Sequence, residues 1–239
     1  MNRAPGSVSG RGWGRLTAPE TALAPLLALG ACAGFEPPDE AALARVRAAA
    51  MPVPEAGCET CDVTICSAQL SGKFTAVLAS ERAGRVRLQL FPDVGGKILD
   101  LWASSERIRG TIPQAGVQYD AAAGGDPPRH VLLFFAITLL ERSTPLEPAR
   151  VRGVRGVPER GRAFELLLEP RVPGTEVVAE IDEHGALVAR RYSYRHVSWR
   201  ERLGPTTRVS ASGFELEARV AESTELRGEE RAAAFGPER

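Results

Sequence analysis

From Leu70 to Ile112 apolar and polar side chains alternate with period two, interrupted only by turn residues. A strand sends successive side chains to opposite faces, so such a stretch makes hairpins with one dry and one wet face. Leu70, Gly72, Phe74, Ala76 and Leu78 share one face, with Ser71, Lys73 and Thr75 opposite. Val86, Leu88 and Leu90 then alternate with Arg85, Arg87 and Gln89. Lys97–Ala103 and Glu106–Ile112 supply two more strands, which makes a four-strand antiparallel meander. The pattern resumes at Phe164, Leu166 and Leu168. It continues through Glu176–Ile181 and Ala186–Tyr194, which flank an Asp182-Glu-His-Gly185 turn, and through Thr206–Ser210. In the last strand Phe214, Leu216, Ala218 and Val220 face inward and Glu215, Glu217 and Arg219 outward.

A sheet with one long apolar face needs a cover. Two segments can supply it. Asp39–Ala50 has a plausible N-cap in Asp39, acids in its first turn and a modest Leu43/Val46 stripe, and Pro52 and Pro54 follow it. His130–Leu140 is apolar on every side, and its length and Leu-Leu-Glu-Arg ending predict a buried helix over 129–142. The fold class is therefore mainly β (α+β): a single curved antiparallel sheet forming an open half-barrel covered by one or two helices. Such a half-barrel leaves an aliphatic pocket. Its candidate walls are Phe74, Leu88, Leu90, Leu99, Leu101, Ile108, Phe164, Leu166, Phe214 and Leu216, with Phe134 and Phe135 on the helical lid. The same residues equally describe a dry, fully packed core.

The 239 residues carry 30 basic and 30 acidic side chains, a balance that lacks the basic footprint of nucleic-acid binding. Charged residues at 25% beside 44% hydrophobic ones exclude wholesale disorder. No apolar run reaches the roughly 18 residues of a membrane-spanning helix. No nucleophile elbow, phosphate loop or metalloprotease helix motif is present, and His130, His184 and His196 come without a spaced nucleophile or carboxylate. The expectation is a non-enzymatic protein without a cofactor. Arg191–Arg200 reads as a strand with a charged, solvated face or as a contact for anionic headgroups.

The N-terminus reads as an address. Arg3, Arg11 and Arg15 precede the first acid, Glu20, and a short apolar stretch runs from Thr21 to Ala31. A basic start, a short apolar region and small residues before the cut form a secretory signal. Leu29-Gly30-Ala31-Cys32 resembles the lipobox of bacterial lipoproteins, which implies acylation of Cys32 and cleavage before it. Residues 1–31 are then the signal and 32–38 a tether, followed by the folded domain at 39–226 and a polar, fraying tail at 227–239. An ordinary cleaved signal, or a buried helix with an incidental cysteine, remain the alternatives. Cys58, Cys61 and Cys66 form the sharpest cluster, read first as a structural disulfide in an oxidising compartment. A redox dithiol and a metal site are the other readings.

Leu70–Leu78 and Arg85–Leu101 resemble the opening strands of LolB-like outer-membrane lipoproteins, and Ile181–Ala186 and Pro205–Val220 are similar to the end of the LolA/LolB superfamily. With the lipobox and the single long helix, the likeness spans nearly the whole chain after the signal. The resemblance implies an open barrel with a helical lid that holds acyl chains or a lipidated client, on the periplasmic face of the bacterial outer membrane. It also implies a part in lipoprotein transport or insertion. The alternative is an interaction lipoprotein with a filled core that docks another envelope protein. The family's insertion role depends on an apolar side chain protruding from an inter-strand loop, and the polar turn Ala103–Arg107 offers none.

Overall fold

The computed structural model describes residues 34–50, 53–68, 70–82, 84–123, 130–157 and 163–235. The signal segment, the lipobox and Cys32 lie outside them. Within Ala33–Arg239, which forms one compact unit, the chain makes thirteen strands and three helices. The first half runs α1 (Glu40–Ala49), β1 (Ala56–Ser67), β2 (Gly72–Glu81), β3 (Arg85–Pro92), β4 (Leu99–Ser104), β5 (Arg107–Ile112) and β6 (Val117–Ala122). After α2 (His130–Arg142) come β7 (Val151–Gly156), β8 (Phe164–Leu168), β9 (Thr175–Ile181) and β10 (Leu187–Tyr194). The chain closes with β11 (Val197–Arg202), β12 (Thr207–Ala211), β13 (Phe214–Glu225) and α3 (Gly228–Phe235).

All thirteen strands join one antiparallel sheet in the order β6-β5-β4-β3-β2-β1-β13-β12-β11-β10-β9-β8-β7. Every neighbour in that order is also a sequence neighbour except at the centre, where the first strand pairs with the last from Gly57↔Glu225 to Ser67↔Phe214. The sheet does not close, and its two edges are β6 and β7. Residues as distant in the sheet as Ile108 on β5 and Phe164 on β8 belong to one buried cluster with α2. The buried face is therefore continuous across both halves of the sheet, with α2 packed on it. The curved sheet with covering helices is thus as the alternation and the all-apolar helix require.

Local chemistry explains the elements. Asp39 caps α1, its Oδ1 accepting the Ala42 amide at 2.7 Å, and Ala42, Val46 and Ala49 turn inward. In the β9–β10 turn Gly185 takes φ +84°, and Asp182 Oδ1 accepts the His184 amide at 2.9 Å, as an Asp-x-x-Gly turn demands. Gly110 of β5 lets α2 approach: a Cβ there would stand 3.2 Å from Leu132 Cδ1.

Several expectations need correcting. β1, β6 and β7 are strands that the alternation did not reveal. β6 and β7 are edge strands whose faces are mostly half-wet, so neither carries a clean apolar register. Gly153 breaks β7 further, because Phe35 packs where its side chain would be. The tail does not fray from Arg227. Glu229 and Glu230 occupy the first turn of α3, whose Phe235 is buried against the outer face of the sheet.

The disulfide is also absent: Cys58, Cys61 and Cys66 are free and all lie on β1. At about 3.3 Å per residue, neighbours three positions apart sit about 10 Å from each other, beyond the roughly 7 Å that a disulfide tolerates between Cα atoms. Cys61 points into the core and Cys66 to solvent.

Candidate functional site

The candidate site is the interface between α2 and the concave face of the sheet. Period two sends Val63 and Ile65, Ala76 and Leu78, Leu88 and Leu90, Val209, and Phe214 and Leu216 to that face. α2 lies across them. Phe134 packs its ring 4.8 Å from Trp199 and 6.0 Å from Phe214, and Phe135 meets Phe214 edge-on at 6.0 Å. The expected wall residues Phe74, Leu88, Leu90, Leu99, Leu101, Ile108, Phe134, Phe135, Phe164, Leu166, Phe214 and Leu216 all sit in this one cluster, each buried.

They do not all line open space. A cavity of about 60 Å³ remains beneath α2, bordered by Leu88, Leu90, Phe134, Phe135, Phe214 and Leu216 from that set. Phe74, Leu99, Leu101, Ile108 and Leu166 are instead packed core beyond it, and Phe164 borders a separate surface pocket beside Glu180 and His184. The cavity also touches Cys61, Val63, Ala76 and Leu78 on the β1–β2 side and Glu201, Thr207, Val209 and Ala218 on the other. It sits directly over the β1–β13 seam. Cys61 and Val63 were not legible as wall because their alternation with Ile65 spans only three positions of a strand whose remaining residues are small or polar. Glu201 was not legible because a charged residue beside Arg200 and Arg202 looks solvated.

The helix is held differently on its two flanks. Toward β7–β11 it has polar tethers. Trp199 Nε1 donates to Thr138 Oγ1 at 2.9 Å, and Arg150 Nη2 donates to the buried Glu141 Oε2 at 2.5 Å. Glu141 Oε1 accepts the Arg171 amide at 2.7 Å. Toward β1–β5 the contacts are apolar, Leu132 against Gly110 and Leu101. The exception is a partly exposed ion pair between Arg142 and Glu59 at 3.2 Å. Detaching α2 from the β1–β5 half therefore breaks one ion pair, whereas detaching it from the other half strands a buried carboxylate.

Behind Thr138 lies a buried polar group. Arg190 Nη1 and Tyr192 Oη both donate to Glu201 Oε2, at 3.2 and 2.8 Å, and the Tyr192 ring stacks on Trp199 at 5.2 Å. Burial, with the Glu201 carboxylate beside it, pushes the Tyr192 phenol well above its usual range, so it stays a donor. Arg191 and Arg200 point the other way and are committed to Glu165 and Glu180. The Arg191–Arg200 stretch is thus a hairpin with a buried aromatic face and an ion-paired outer one.

The surroundings of Cys58 and Cys61 disfavour their thiolates. Burial, followed by the charge of Glu59, pushes Cys61 up to about 11, so little thiolate exists at neutral pH. Among the described residues no three His, Cys, Asp or Glu side chains gather as metal ligands. None of the described helices is long and apolar enough to cross a membrane.

The outer loops hold one further feature. The β4–β5 turn is polar as expected, with Ser104 Oγ accepting the amides of Glu106 and Arg107 at 3.2 and 3.1 Å. The preceding turn, between β3 and β4, carries Val94 at 89% exposure, the most exposed large apolar side chain among the described residues. It stands between Asp93 and Gly95.

No family model and no curated relative matches the chain. Solved structures do. A domain assigned to outer membrane lipoprotein sorting, from Vibrio parahaemolyticus, superposes with TM-score 0.52 at 11% identity, covering 80% of this chain and 94% of that one. A DUF1329 family protein from Desulfovibrio piger gives 0.51 at 8% identity, over 80% of this chain and 93% of that one. A LolA superfamily protein from Nitrosomonas europaea gives 0.48 at 7% identity, over 78% and 92%. Fold and site together define a half-barrel with an apolar helix in its mouth. The chain shares the fold of the lipoprotein-sorting domain and of the DUF1329 protein.

Proposed function

We propose that this chain is a non-enzymatic carrier-type protein that takes up acyl chains, of a lipid or a lipidated client, between α2 and the concave sheet. The observation that carries the reading is the apolar cavity over the seam, roofed by a helix whose β1–β5 flank is held almost entirely by hydrocarbon contacts. At about 60 Å³ it holds roughly two water volumes, far less than the roughly 300 Å³ of a small ligand site. Uptake therefore requires α2 to yield. An acyl chain makes this feasible because it replaces the helix's hydrocarbon with its own, at about 0.8 kcal/mol per buried CH₂.

The lipobox supports anchoring through Cys32, and the fold neighbours support a place in the cell envelope. We assign the chain to the periplasmic face of the outer membrane, nearer the LolB type, with a part in lipoprotein insertion. Val94 supports the last point. A lone exposed apolar residue is common on protein surfaces, but this one occupies a turn tip, the position that insertion requires. The second reading, a permanently filled core whose outer face docks another envelope protein, is favoured by the smallness of the cavity.

The test is to purify residues 33–239 and extract them for lipid mass spectrometry. Stoichiometric phospholipid or acyl chain is expected. A lipid-free protein that also ignores an apolar fluorescent probe would establish the filled core instead. Cys32→Ala should abolish acyl mass and membrane fractionation, and Val94→Glu should block delivery to vesicles while leaving lipid loading intact.

A further inference from the structure

The cavity wall is not uniformly apolar. Glu201 lies on it and is fully buried, and its two carboxylate oxygens are used unequally. Oε2 accepts from both Arg190 and Tyr192, whereas Oε1 is buried with no hydrogen-bond partner. A buried carboxylate oxygen without a donor is costly, because burial strips its water without replacing it. The neighbouring wall is Phe134, Val209, Phe214 and Leu216, and of the polar residues that share it, Thr138, Thr207 and Arg142, none hydrogen-bonds to Oε1.

We infer that Glu201 Oε1 is the anchor for a hydrogen-bond donor at the head of the bound chain, so that the pocket selects an amide-linked acyl chain over an ester-linked or free-acid one. An amide N–H supplies the missing donor. The corresponding ester has the same shape but no donor, and a carboxylate brings a second negative charge against the first. The inference rests on the acyl-chain reading above and adds the chemistry of the linkage. A free N-acyl lipid and the N-acylated end of a protein both present this N–H.

Three probes of one chain length test it on the purified, delipidated full chain: N-methyldodecanamide, methyl dodecanoate and dodecanoate, each displacing an apolar fluorophore. The amide should compete at least about tenfold better than its ester, the advantage expected of one hydrogen bond to a charged acceptor, and dodecanoate should be weakest.

Glu201→Gln then gives a directional control. Arg190 and Tyr192 donate to the inner position, which must keep an oxygen, so the new NH₂ replaces Oε1 and presents a donor to the pocket. The amide-to-ester ratio should collapse to near one and dodecanoate should gain about tenfold. If the variant fails to fold, the amide-to-ester ratio of the unmodified protein decides alone.

Amide and ester binding alike in the unmodified protein would overturn the inference and leave the acyl pocket standing. Failure of all three probes to displace the fluorophore would overturn the pocket itself. An N-dodecanoyl tripeptide as a fourth probe separates the sources. Affinity equal to the small amide's assigns the chain to a lipidated protein, and a tenfold loss assigns it to a small lipid. Both results uphold the amide preference.

Discussion

Replacing Phe135 by alanine tests whether α2 is seated in the sheet as a packed core element. The ring is buried, meets Phe214 edge-on at 6.0 Å, and borders the cavity of about 60 Å³. Its removal forfeits about 2 kcal/mol of apolar transfer. It also opens on the order of 100 Å³, worth about 2 kcal/mol more at roughly 24 cal/mol per Å³. The expected loss is thus about 4 kcal/mol, read as a lowered urea midpoint at constant slope. The enlarged space approaches the roughly 150 Å³ of an engineered cavity that binds benzene. Benzene should therefore recover about 2.7 kcal/mol at a hundredfold excess over its dissociation constant. A loss below about 1 kcal/mol with no recovery by benzene would mean that the ring is not packed beneath the helix, and the seating of α2 would be wrong.

Three other outcomes are expected. Glu81 is buried, yet Arg85 and Arg231 at 2.6 and 2.7 Å outweigh its burial and hold its carboxyl below the usual range. In Asp100, likewise, burial is outweighed by Arg87 and Lys97. Both folded values lie below the unfolded ones, about 4.3 and 3.9, so their contribution is complete above those values and disappears as pH falls through the folded ones. Urea midpoints measured from neutral to acid pH should be flat down to about pH 5 and then fall, and a flat profile to pH 2 would refute the assignment.

Gly153→Ala would set a Cβ 2.7 Å from Phe35 Cβ and should open the Glu36–Val154 bridge, in which each amide donates to the other residue's carbonyl, at 2.9 and 2.8 Å. Hydrogen exchange at those two amides should accelerate, and unchanged protection would argue against the contact. Alkylation mapped by mass should label Cys66 in the native protein and spare Cys61 until unfolding. Native labelling of Cys61 at the Cys66 rate would contradict its burial.

The elements legible in the sequence are those whose environment is one-sided. β2, β3 and the opening of β13 each bury one face more deeply than the other, so Phe74/Ala76/Leu78 and Phe214/Leu216 declare their register; beyond Ala218 both faces of β13 are exposed, and Val220 does not turn inward as expected. α2 declares itself in the sequence by the apolar run from Val131 to Leu140. β6 and β7 lie at the edges, where neither face is fully dry, and their side chains follow local demands such as Asp120 pairing with Arg107. The cavity was only half legible. Its hydrocarbon wall follows from alternation, but which wall residues face open space depends on where α2 crosses. The inward turn of Arg190 and Glu201 was hidden because each neutralises the other only after β10 and β11 have paired, Arg190 opposite Glu201.

The β1–β13 pairing also governs the order in which the sheet can assemble. Each hairpin within β2–β6 and β7–β12 joins neighbours in sequence, so its loop closes quickly. The central pair joins Gly57 to Glu225 and Ser67 to Phe214, and it cannot form until nearly the whole chain is present. Two half-sheets should therefore exist first, each with a row of unpaired backbone groups along β1 or β13. Those rows are templates for pairing with another chain. A truncation within β13 removes a middle stave, and its expected product is an aggregate rather than a shortened domain.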